Sequence, residues 1–146
     1  VKWYYDGVEF TSEMIEDYIG YVYCITDLKN NKKYIGKKLF RSTRRLAPLK
    51  GKTRKRTVIK ESDWQDYFGS SEEVKLLVSE LGSDNFKREI LHLCNTKGEL
   101  SYMELKEQML REVLLNDDYY NGIIQVRIHK SHLKSLRDSY RNANDS

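Results

Sequence analysis

Tyr21-Val22-Tyr23-Cys24-Ile25-Thr26, the polar turn Asp27-Leu28-Lys29-Asn30-Asn31-Lys32, then Lys33-Tyr34-Ile35-Gly36 is the stretch whose reading decides the fold. Two short β-prone runs around an Asn/Asp/Lys turn predict a hairpin, with strands over 20–26 and 32–36. Facing strands bring the phenols of Tyr23 and Tyr34 near one another, just ahead of a very basic segment.

The chain around it has 146 residues, enough for one domain with a real core and too few for two. No apolar run approaches the ~20 residues of a membrane span, and no signal-peptide core opens the sequence. A cytoplasmic protein without a membrane partner is expected. Cys24 and Cys94 sit in apolar runs without metal-type spacing, which predicts buried free thiols in a reducing compartment.

The net charge of +4 is unevenly spread: Lys37 to Lys60 holds eleven Lys or Arg and no Asp or Glu. A run with no acids to pair with repels itself unless it meets a polyanion, so nucleic acid is the expected partner. Lys37, Arg41, Arg45, Lys50, Lys52, Arg54, Lys55 and Arg56 are its candidate contacts. Within the run, Lys38 to Leu46 reads as helical and Leu49 to Arg56 as an exposed loop that orders on a partner.

The remaining elements follow from local signals. Residues 1–19 read as a leader with an Asp6-Gly7 hairpin. Ser70 or Ser71 with Glu73 starts a helix bearing Val74, Leu77, Val78 and Leu81 at helical spacing, and Gly82 ends it. Phe86 to Cys94 is a third strand. Thr96 with Glu99 caps a second helix over about 99–115. Residues 123–146 form a basic tail whose helix, at about 131–142, either crosses a groove or packs on the core through Leu133 and Leu136.

The pair Tyr21-Val22-Tyr23 and Tyr34-Ile35-Gly36 resembles the pattern of the GIY-YIG nuclease superfamily. Trp64-x-x-Tyr67-x-Gly69-Ser70-Ser71, the Leu100-Ser101-Tyr102-Met103-Glu104 helix and the Tyr120-Asn121 turn follow in the family's order, covering about 20–122. The Gly36-Lys37-Lys38 step and the long basic insertion look most like small phage-encoded, homing-type members. The resemblance implies an α+β fold, a small antiparallel three-stranded sheet flanked by helices, with the basic insertion over 37–60. It also implies hydrolysis of DNA, double-stranded first, with Mg²⁺ or Mn²⁺, and leaves open a homodimer or a partner that supplies specificity. A non-catalytic nucleic-acid-binding module of the same fold and a restriction-type enzyme are the alternatives.

Residue by residue, the resemblance implies that Glu104 is the metal ligand, a hard carboxylate that suits Mg²⁺; Glu107, one turn on, fits a solvent-facing glutamate. It makes Tyr23 and Tyr34 a general base and a positioning hydroxyl, and which of them takes the proton is open. Lys38 and Arg44 are expected to favour the phenolate. Arg44 matches the phosphate-clamping arginine, with Arg41 and Arg45 as rivals, and Lys38 is a second cation. Asn121 matches a late asparagine that fixes the site, although an ordinary turn Asn fits as well. Two departures stand out: Tyr21 replaces the first glycine, or displaces it to Gly20, and no His follows the arginine before Lys60.

Overall fold

In the computed structural model, which describes residues 1–144, Asp6 and Gly7 turn β1 (Trp3–Tyr5) back onto β2 (Val8–Glu9). Both turn residues have positive φ, 51° and 79°, as a two-residue hairpin loop requires. The central hairpin forms as expected and runs further than its apolar core, with β3 spanning Gly20–Asp27 and β4 Lys32–Leu39. Every residue of β3 is buried, because it lies between β4 and β7 (Phe86–Cys94).

The sheet is larger than the three antiparallel strands expected. Five strands run in the order β2-β1-β7-β3-β4, and β1 pairs parallel to β7. The physical reason is Trp3. Its ring meets Tyr21 and Tyr23 edge-on at 4.9 and 5.5 Å, and its indole N–H donates to the Trp64 carbonyl at 2.7 Å. Burying an aromatic side chain of that size, with its polar atom satisfied, draws the first residues into the sheet.

The basic segment also differs from expectation. In place of a helix over 38–46, β5 (Arg41–Leu46) and β6 (Arg56–Glu61) pair into a separate antiparallel ribbon. Thr43, Thr57, Val58 and Ile59 are β-branched and favour extended backbone over helix. The ribbon is fastened at its base, where Ser62 donates from its N–H to Phe40 O and from its hydroxyl to Leu39 O.

Helices cover both faces of the sheet. α1 (Glu72–Leu81) is capped by Ser71, whose hydroxyl accepts from Val74 N–H, and lays Val74, Leu77 and Val78 on the face holding Tyr21, Tyr23 and Ile25. α2 (Lys97–Leu110) is capped by Thr96 and packs Leu100 on the opposite face, against Val22, Cys24 and Ile35. It ends before the expected residue 115, since Glu112 is left-handed at φ 51° and Val113 turns inward. α3 (Lys134–Asn144) follows a short turn whose His132 main chain lies against Gly98 of α2. Leu133 and Leu136, both half-buried, line a hollow facing Tyr102 and Met103, so the tail helix starts alongside α2. Cys24 and Cys94 are buried free thiols, as expected.

Two buried charged groups hold the ends of this arrangement. Arg88 donates to the carbonyls of Tyr67 and Val1, and its guanidinium lies over the rings of Trp3 and Phe68. Burial lowers its pKa to about 10. Asp27, 1% exposed, accepts from Lys29 N, Asn30 N and Nδ2, Asn85 Nδ2 and Tyr120 Oη. Burial alone would raise its pKa, but those hydrogen bonds, Tyr120 foremost, hold it down to about 2. A depressed carboxylate stabilises the fold above its unfolded pKa and loses that contribution as pH falls through its folded one. Asp27 is therefore expected to contribute about 2 kcal/mol at neutral pH, lost between about pH 4 and pH 2. Urea midpoints at pH 7 and pH 3 test this: Asp27→Ala should start lower and fall less on acidification than wild type.

Candidate functional site

Side chains alternate across a strand, so Tyr34, Gly36 and Lys38 leave one face of β4 while Ile35 and Lys37 leave the other. The register sets Tyr23 opposite Gly36 and Ile25 opposite Tyr34. α2, on the far face, carries Glu104 to within 4.0 Å of Lys37 Nζ, and Lys37 also donates to Ser101 Oγ at 2.9 Å. The two sets of groups therefore lie on opposite faces of β4, the last strand of the sheet. The Glu104 carboxylate is one of the charges that Tyr34 feels.

Glu104 retains only 15% of its side-chain exposure. Burial raises its pKa, and Lys37 offsets part of that rise. Glu107 corrects the expectation of a solvent-facing residue: it accepts from Arg111 Nε at 3.0 Å and bonds His92 Nε2 at 2.6 Å. Of the two glutamates one turn apart, Glu107 is committed within the fold, while Glu104 has a single distant cation.

The two motif tyrosines are not equivalent. Tyr34 is half-buried and its hydroxyl bonds Ser70 Oγ at 3.1 Å. Burial raises its pKa, while the Ser70 hydrogen bond and the charge of Lys75 pull it back. Tyr23 is fully buried, and its hydroxyl has no hydrogen-bond partner among the described residues. Burial, followed by the neighbouring Tyr67 and Tyr34, pushes its pKa well above the ordinary phenol value. Gly36 explains where that hydroxyl goes: a Cβ on Gly36 would lie 2.3 Å from Tyr23 Oη and 2.5 Å from its Cζ. The missing side chain is filled by the tyrosine across the strand. Gly69, at φ 94°, closes the same corner, where a Cβ on it would lie 3.3 to 3.4 Å from both tyrosines.

Glu104, Lys37 and Ser101 thus cluster on one face of β4 and Tyr34 and Ser70 on the other, linked by the charge of Glu104 that Tyr34 feels, and the other expected groups lie apart from both sets. Lys38 is paired with Asp63 at 2.7 Å and sits over the Tyr67 ring at 4.2 Å. Arg44 is exposed on the ribbon opposite Val58, and no hydrogen bond or ion pair joins it to Tyr34 or Glu104. Neither Lys38 nor Arg44 is among the charges acting on the two tyrosines; the cation that lowers Tyr34 is Lys75. Arg41 donates to the carbonyls of Glu16 and Tyr18, which ties it to the base of the ribbon. Asn121 is buried and serves the main chain of Ile35, accepting from its N–H at 3.0 Å and donating to its carbonyl at 2.8 Å. It completes the edge of β4 beside Tyr34.

A divalent cation fits this donor set in one way only. Among the described residues no group of three or more His, Cys, Asp or Glu could hold a metal. Glu104 would be the sole protein ligand, with water and phosphate oxygens completing the shell, a pattern that suits Mg²⁺ because it keeps several waters.

A family model described as "Putative endonuclease segE, GIY-YIG domain" matches residues 3–124. The chain belongs to the GIY-YIG nuclease family. No curated protein and no solved structure matches it. The family match begins at Trp3, the residue that adds the parallel strand to this GIY-YIG sheet. Sequence reasoning passed over Ser70 and Ser101 as site groups of the GIY-YIG chain, and gave Lys37 only the role of a nucleic-acid contact. The signal for Ser70 was present in the Gly69-Ser70-Ser71 string, and that for Ser101 in the run leading to Glu104.

Proposed function

We propose that this domain is a Mg²⁺- or Mn²⁺-dependent endonuclease that hydrolyses phosphodiester bonds in double-stranded DNA, of the homing type carried by phages and acting in the host cytoplasm. The observation that carries the reading is Glu104, a shielded carboxylate whose one cation among the described residues is Lys37 at 4.0 Å, and whose charge acts on the Tyr34 phenol. A cation held by Glu104 would neutralise the scissile phosphate and its leaving oxygen. The chain's own groups do the rest. Tyr34 keeps its proton at neutral pH, shares a hydrogen bond with Ser70 Oγ and offers a lone pair to the attacking water, which makes it the positioning hydroxyl. Tyr23, sealed under Gly36, holds Tyr34 and Tyr67 in place. Lys37 keeps positive charge beside the phosphate, and the ribbon arginines neutralise its neighbours. With no named base-reading module in the sequence, site choice is weak or comes from a partner or second copy.

Supercoiled plasmid incubated with the protein in Mg²⁺, Mn²⁺ or EDTA tests the reading. Nicked or linear product is expected with either metal and none in EDTA. Intact plasmid under all three conditions, from a protein that still binds DNA, would select the non-catalytic alternative.

A further inference from the structure

The ribbon formed by β5 and β6 stands outside the five-stranded sheet, and every residue in it but Leu46 is exposed. Between Arg41 and Lys60 it carries nine cations and no acid. The one acid at its base, Glu61, is held by Ser12 Oγ at 2.7 Å and Trp64 Nε1 at 2.6 Å. Among the described residues no ion pair joins these cations to an acid. We infer that the ribbon enters the major groove of a DNA duplex, presenting the face that holds Arg44, Arg56 and Lys60; this rests on the nuclease reading above.

Shape, charge and register each contribute. Paired strands lie about 4.8 Å apart, so a ribbon with its side chains fits a groove about 12 Å wide and overfills one about 6 Å wide. Six residues per strand reach about 20 Å from the core. The register divides the ribbon into two faces: Ser42, Arg44, Arg56, Val58 and Lys60 on one, Arg41, Thr43, Arg45, Thr57 and Ile59 on the other. These faces are anchored differently. Arg41 and Glu61 bind back to residues 12–18 and Trp64, so the second face turns towards the protein at its root. Ser42, at the root of the first face, borders a hollow shared with Lys37, Lys97 and Ser101, next to Glu104; Arg41 lines the same hollow, but its guanidinium is turned to the carbonyls of Glu16 and Tyr18. Arg44 therefore continues the positive surface of the cleavage site, and Arg45, its neighbour in sequence, faces away.

The test is fluorescence anisotropy of the whole chain on a labelled 20-base-pair DNA duplex in EDTA, where binding is read without cutting. Arg44→Ala should weaken binding about tenfold and lower the log–log salt slope by about one, and Arg45→Ala should weaken it less than about threefold. An RNA duplex of the same sequence, whose major groove is too narrow for a ribbon, should bind at least about tenfold more weakly than the DNA. Equal losses for the two arginines, or equal affinity for both duplexes, would overturn the inference. Neither outcome touches the nuclease reading, which the metal-dependence assay decides separately on wild type.

Discussion

Glu104→Gln is expected to abolish plasmid cleavage while leaving the fold intact. Glutamine has nearly the same shape but no charge, so it removes the single hard ligand available to a divalent cation. Losing several kcal/mol of charge stabilisation at the phosphate corresponds to a rate at least about 10³-fold lower. Stability should move the other way or not at all. Burial disfavours the Glu104 carboxylate, Lys37 stands 4.0 Å away, and Lys37 keeps Ser101 in the variant. A melting temperature within about 2 °C of wild type, with cleavage gone, is the signature of a ligand. Full cleavage by the variant would defeat the assignment, and a collapse in stability would make Glu104 a structural residue.

Gly36→Ala carries the largest expected structural effect. Its new Cβ would stand 2.3 Å from Tyr23 Oη and 2.5 Å from Cζ, in a ring that is fully buried. The Tyr23 ring has no free direction, since Trp3, Tyr21, Tyr34 and Tyr67 all pack around it. Overpacking of this kind costs about 3 kcal/mol, a fall of about 10 °C in melting temperature for a domain of this size. Displacing Tyr23 also pushes on Tyr34, so cleavage should fall with stability. A double-mutant cycle with Tyr23→Leu isolates the clash: part of the alanine's cost should disappear once the ring is gone. Full additivity of the two substitutions would show that the ring is not what the glycine accommodates.

Much of the fold was legible because its signals are local. The Tyr21–Gly36 hairpin, the Ser71 and Thr96 caps, the Gly82 stop and the Asp6-Gly7 turn each depend on a few consecutive residues. What escaped depends on distance or on the lack of a buried face. The parallel strand at Trp3 meets β7 some 85 residues later, and no short-range pattern encodes that pairing. The ribbon has no buried side, so its sequence shows no apolar alternation, and a basic run looks the same as helix, loop or strand. In the site, Glu104 and Glu107 are one helical turn apart and equivalent as letters. Only the structure reveals that His92 and Arg111 already hold Glu107. Asn121 was equally hard to assign, because an asparagine that satisfies another residue's main chain has no signature distinct from one that meets a ligand.

That asparagine bears on how the enzyme is made. The N–H and carbonyl of Ile35 wait for a partner 86 positions later, and the neighbouring Lys33 waits for Asp118 and Tyr120. The strand bearing Tyr34 and Lys37 is therefore finished only after nearly the whole catalytic core has left the ribosome. A nascent or prematurely ended chain lacks the partners that complete the edge of that strand.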